Sequence, residues 1–86
     1  MRIKKNIAIS ESGFMFNPIT GESFTVNPIG TEILQMINDG FESDQIIEAI
    51  CNKYQVDQHT FDKDLTDFTG MLDHHHLSQH HDKEEA

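Results

Sequence analysis

The residues of this chain whose types could do chemistry are six histidines, one cysteine and a series of aspartates. His59 stands alone. His74, His75, His76, His80 and His81 cluster near the C-terminus. Neutral imidazole binds zinc, copper and nickel, so such a cluster is the one place to test for a metal. A built metal site also needs fixed ligand geometry and hydrogen-bonded support behind the ligands. The segment that carries the five histidines is polar and low in complexity, which reads as a mobile tail, so no metal and no cofactor is expected. Cys51 borders an apolar helical stripe and reads as a buried structural thiol. A reactive thiol needs a cation or a histidine beside it, and Lys53 is the nearest candidate in sequence. Asp64 and Asp67 could pair as acid and base, but they flank an apolar stripe and read as a solvated helix face. There is no nucleophile elbow, no phosphate-binding glycine loop and no zinc-type cysteine pair. These residues ask for no catalysis.

The composition narrows the class further. With 86 residues and 36% hydrophobic content, the chain holds one modest core. There is no Trp, so aromatic mass must come mainly from Phe and Tyr54. A formal charge of -9 opposes indiscriminate binding to phosphate backbones. A single cysteine fits a reducing, cytoplasmic setting. No apolar run is long enough for a membrane span, and the basic Met1-Arg2-Ile3-Lys4-Lys5 is followed by no signal-type apolar core.

The elements that must position any site start from the hairpin in residues 13–27. Phe14 and Phe16 alternate with Met15, and Phe24 and Val26 alternate with polar neighbours, which is the period of strands. Asn17-Pro18-Ile19-Thr20-Gly21 between them reads as a turn. An earlier strand over residues 3–9, with Ile3, Ile7 and Ile9 on one face, completes an antiparallel meander. Asn27 then caps a helix over residues 28–39 that starts at Pro28 and stops at Gly40. Ser43 is the expected N-cap of helix two, whose stripe is Ile46, Ile47, Ile50 and Tyr54. Asp57 caps helix three, with Phe61, Leu65, Phe68 and Leu72 at helical spacing. Gly70 weakens that helix by about 1 kcal/mol relative to Ala, so its last turns should fray. The fold expectation is α+β: a three-stranded antiparallel sheet followed by three helices, winged-helix-like. Residues 1–73 form the domain and 74–86 a flexible histidine-rich acidic tail, with Leu77 as its one anchor to the core.

Two functions suit that architecture. A DNA-binding regulator would send helix three into the major groove, where it needs Arg or Lys. Here it carries Asp57, Asp62, Asp64 and Asp67 against Lys63, so nucleic acid is not the expected partner. A peptide-binding module would use the strand over residues 22–27 as an open edge that takes an extended peptide as a further strand. Ser23, Phe24, Thr25, Val26 and Asn27 would register the backbone. Phe61, Leu65 and Phe68 would form the floor, with Asp64 and Met71 near the rim. The same three apolar residues also serve as ordinary core. An open edge can equally pair with a second copy, so a monomer or a weak homodimer is expected.

The order of these pieces resembles the PqqD family, named for coenzyme PQQ synthesis protein D. The resemblance rests on Thr20-Gly21-Glu22-Ser23-Phe24-Thr25-Val26-Asn27, Ile29-Gly30 before Ile33-Leu34, and Gly40. It continues through Ile46-Ile47-Glu48-Ala49-Ile50, Tyr54-Gln55-Val56-Asp57, and Asp64-Leu65 with Phe68 and Leu72. It implies a RiPP recognition element, a non-catalytic domain that binds the leader of a ribosomally made precursor peptide. Such a domain presents the leader to a modifying enzyme, often a radical SAM enzyme. It further implies that the leader lies between the third strand and the third helix, here Ser23 to Asn27 and the Asp64, Phe68 and Met71 flank. Leu34 stands where the family often has Trp, and His76-Leu77 replaces the usual Gly-Leu ending. The role in peptide recognition is therefore carried over, and the specific pathway of PQQ biosynthesis is not.

Overall fold

A computed structural model of the chain describes residues 1–79. The elements in order are β1 (Arg2–Ile3), β2 (Ala8–Ile9), β3 (Phe14–Phe16), β4 (Ser23–Thr25), α1 (Pro28–Asn38), α2 (Ser43–Tyr54), α3 (Gln58–His74) and β5 (Ser78–Gln79). The expected sheet is present: β2, β3 and β4 form an antiparallel meander in that order, and the three helices follow. The hairpin turn is closed by Gly21 N–H to Asn17 O at 2.8 Å and Asn17 N–H to Glu22 O at 2.9 Å. The Asn17 side chain accepts from Ile19 N–H at 3.0 Å, which satisfies a buried amide. Gly21, at φ +80°, takes the left-handed position this turn requires.

The N-terminal strand differs from expectation. Residues 3–9 are two short strands in two sheets. Ile7 N–H bonds back to Lys4 O at 3.1 Å, so the chain reverses at Lys4-Lys5-Asn6. β1 then pairs with β5 and β2 with β3. Ile3 and Ile7 are both buried, as their shared pattern required, but they sit on opposite sides of that turn.

The helix ends are set by local chemistry. Asn27 Oδ1 accepts from Gly30 N–H at 2.8 Å, and Asp57 accepts from Thr60 N–H at 2.9 Å. Helix α2 is capped by Glu42 rather than Ser43: Gln45 Oε1 reaches back to Glu42 N–H at 2.8 Å, the reciprocal half of a capping box. At the end of α1, Gly40 (φ +91°) donates to Ile37 O at 3.1 Å and Phe41 to Met36 O at 3.0 Å, a Schellman motif.

Helix α3 does not fray at Gly70. It runs on to His74 and ends in a second Schellman motif, with His76 N–H to Asp73 O at 3.1 Å and Leu77 N–H to Leu72 O at 2.9 Å. Leu72 and Leu77 are both fully buried, the apolar contact that accompanies this cap. Residues 74–79, expected in the tail, are therefore part of the fold. Leu77 is anchored in the core, Lys4 N–H donates to Leu77 O at 2.9 Å, and β5 pairs with β1. His80, His81 and the rest of residues 80–86 lie outside the described residues.

The core gathers Met15 from the sheet, Leu34 from α1, Ile50 from α2, Leu72 from α3 and Leu77, all fully buried. Glu32 ties α1 to α2: Lys53 Nζ lies 3.1 Å from its Oε1, and Tyr54 donates its hydroxyl to the other carboxylate oxygen. The Tyr54 hydroxyl, and then Lys53, hold the Glu32 carboxyl below the usual range. Lys53 is thus engaged by Glu32, and half-buried Cys51 packs against the core.

Candidate functional site

β4 is an edge of its sheet among the described residues. Its backbone alternates in a way the register fixes. Glu22 O accepts from Asn17, Phe24 stands opposite Met15, and Val26 N–H donates to Gly13 O at 2.9 Å. Residues 22, 24 and 26 therefore bond inward to β3. In an antiparallel pair the intervening residues turn their N–H and C=O groups away, so Ser23 and Thr25 present theirs at the open edge. Natural edges are usually blunted by charge, proline or a bulge. Ser23-Phe24-Thr25 carries no charge and no proline.

Gly13 holds the other end of this edge in place. At φ +91° it lies so close to the start of α1 that a Cβ would stand 2.6 Å from both Thr31 Oγ1 and Val26 O. The strand-to-helix connection is therefore fixed.

Two approaches bring the β4 segment and α3 together. At one end the rings of Phe24 and His75 meet, with centroids 4.7 Å apart. At the other, a Cβ on Gly30 would lie 3.4 Å from Phe68 Cε1 and 3.0 Å from Val26 Cβ, so α1, Val26 and Phe68 approach closely here. From Ser23 to Asn27 an extended chain covers about 13 Å at 3.3 Å per residue. Next to the Asn27 end opens a cavity of about 350 Å³ between α1, α2 and α3. Ile29, Ile33, Ile50, Val56, Phe61 and Phe68 form its apolar walls. Asn27, Thr60 and Asp64 supply polar groups, and Asp64 is the single charged residue of the lining among the described residues.

The residues singled out from the sequence are partly brought together. Asn27, Phe61, Asp64 and Phe68 share the cavity. Ser23, Phe24 and Thr25 form β4, and half-buried Val26 continues from it. Leu65 is only 3% exposed and belongs to the core rather than the cavity. Met71 is half-buried against the core further along α3. Sequence reasoning passed over Gly30 as a structural position, although a glycine in the first turn of a helix signals close approach. It also passed over His75, whose contact with Phe24 arises from tertiary packing.

The histidines are placed in part. His74 and His75 rings meet edge to face at 5.0 Å. Among the described residues no group of three or more His, Cys, Asp or Glu is arranged to hold a metal ion. No helix among the described residues is long and apolar enough to cross a membrane.

Among curated proteins none matches this chain. Among solved structures, TbiB1 in complex with the TbiA(beta) leader peptide is similar: 27% identity, TM-score 0.85, with 96% of this chain and 100% of that chain covered. The family model for Coenzyme PQQ synthesis protein D (PqqD) matches residues 13–77, from the glycine that fixes β4 against α1 to the leucine that anchors α3. The chain belongs to that family.

Proposed function

We propose that this protein is a non-catalytic recognition element that binds the leader of a ribosomally synthesised precursor peptide. The leader adds as a strand along β4 and sets side chains toward α3. The carrying observation is the unblunted edge of β4 beside an apolar cavity. The likeness to TbiB1, which is in complex with a leader peptide, supports the same reading. Ser23 and Thr25 supply the backbone groups, while Phe24, Val26, Asn27, Phe61, Asp64, Phe68 and Met71 shape the side-chain contacts. Leu65 supports the floor from beneath.

The chemistry on the precursor belongs to a partner. Holding the leader turns the meeting of enzyme and core peptide into a tethered event, which raises effective concentration without any new catalytic group. A radical SAM enzyme is the partner class that family membership favours. The lone thiol of Cys51 suits a cytoplasmic setting. The acidic exposed face of α3, with Asp62, Asp64 and Asp67, disfavours nucleic acid as partner.

The test uses proline at adjacent positions. Thr25→Pro removes an outward N–H and leaves the β3 ladder intact, so the fold holds and leader binding falls. One hydrogen bond of about 0.5–1.5 kcal/mol corresponds to roughly 2- to 13-fold in affinity. Phe24→Pro removes an inward N–H and should destabilise the hairpin itself. Full leader binding by a folded Thr25→Pro protein would refute strand addition at β4.

A further inference from the structure

We infer that the peptide accepted by this groove carries a lysine or arginine that meets Asp64 at the cavity mouth. The inference rests on the leader-binding reading and specifies the chemistry of its ligand. Among the described residues Asp64 is the only charged one lining the cavity, and its neighbours there are mostly hydrocarbon. Its carboxylate is exposed, and no hydrogen bond or ion pair engages it within the described chain. Asp67 lies three residues on, the spacing that sets side chains on adjacent turns of one helix flank.

None of the described cations lines this cavity. Lys53 is held by Glu32. Arg2, Lys4 and Lys5 line a separate cleft with Asn38, at the far end of α1 from Asn27 and Gly30. That helix has 11 residues and is about 16 Å long at 1.5 Å per residue. Lys63 follows Asp62 on α3 but does not line the cavity. A ligand side chain at the Asn27 end of the groove therefore meets negative potential over apolar walls. Lysine and arginine suit both parts, because their methylene stems lie on hydrocarbon while the charged head reaches the rim. A carboxylate in the same place would face Asp64, and no described cation lines the cavity to offset it.

The test is selection of a displayed library of random twelve-residue peptides on the immobilised chain, repeated with Asp64→Lys. The inference expects wild-type protein to enrich Lys or Arg at one fixed distance from an apolar residue. It expects Asp64→Lys to shift that position toward Asp or Glu. In a selected peptide, replacing that Lys by Ala should weaken binding to wild type about two- to fivefold, as for a solvent-accessible ion pair. The same replacement should leave binding to an Asp64→Asn variant unchanged, so the two effects are not additive. Enriched peptides that compete at β4 but show no basic preference would overturn the charge inference and leave the groove reading intact. No enrichment by a folded wild-type chain would overturn both. Asp64 is exposed, so all three proteins are expected to fold.

Discussion

His76 offers a prediction whose size follows from the backbone. It sits at the C′ position of α3 with φ +58°, and its N–H closes the cap onto Asp73 O. An L-residue in the left-handed region costs about 1–2 kcal/mol, which glycine avoids. Glycine returns roughly half of that through its greater freedom in the unfolded chain. His76 is exposed, so little packing is lost on its removal. His76→Gly should therefore stabilise the fold by about 0.5–1 kcal/mol, a rise in Tm of about 2–8 °C for a domain of this size. The converse change is available in the same motif at α1. Gly40 has φ +91°, and a Cβ there would meet nothing closer than the Arg2 guanidinium at 3.7 Å. Gly40→Ala should therefore lower stability through the backbone alone, by about 1 kcal/mol. Calorimetry on both variants reads the pair. A lower Tm for His76→Gly, or an unchanged one for Gly40→Ala, would contradict the assignment of these two helix ends as left-handed caps.

Gly30→Ala should separate stability from binding. Helix propensity gains about 1 kcal/mol, which crowding against Val26 Cβ at 3.0 Å and Asn27 Oδ1 at 3.2 Å opposes, so Tm should change little. The added methyl presses toward Phe68 at the cavity floor, and leader affinity, read by fluorescence anisotropy, should fall by about 1 kcal/mol. Asp57 should contribute to the acid limb of stability. The Thr60 backbone N–H, then its hydroxyl, hold the Asp57 carboxyl below the usual aspartate range. A depressed folded pKa means the contribution is complete above the unfolded value near 4 and is lost as pH falls through the lower folded value. Asp57→Asn keeps a cap acceptor without the titration. Denaturant melts from pH 7 to pH 2 should show a shallower acid decline in that variant.

What could be read in the chain was set by local chemistry. The turn from Asn17 to Gly21, the caps at Asn27 and Asp57 and the stop at Gly40 each need only neighbours within a few residues. The N-terminal strand was different. Ile3, Ile7 and Ile9 fit one strand as well as two, and the choice depends on Ser78–Gln79, far along the chain. At the end of α3, Gly70 weakens the helix locally, but the buried Leu72 and Leu77 beyond it carry the helix on to His74. The open edge at β4 was foreseeable from its sequence, but the inward and outward alternation became definite only with the register to β3. The cavity draws on three helices, so its full lining was not legible from any one stripe. Leu65 shows the limit of stripe reasoning: it shares the spacing of Phe61 and Phe68, yet it turns into the core.

The most direct measurement is a backbone-amide NMR titration of the labelled protein with candidate leader peptides encoded near its own gene. Leader binding as an added strand predicts the largest shifts at Ser23 and Thr25, with new protection from exchange at those two amides. It also predicts coupled shifts along α3 at Asp64, Phe68 and Met71. Shifts confined to the cleft of Arg2, Lys4 and Lys5, with Ser23 and Thr25 unmoved in the bound state, would contradict it.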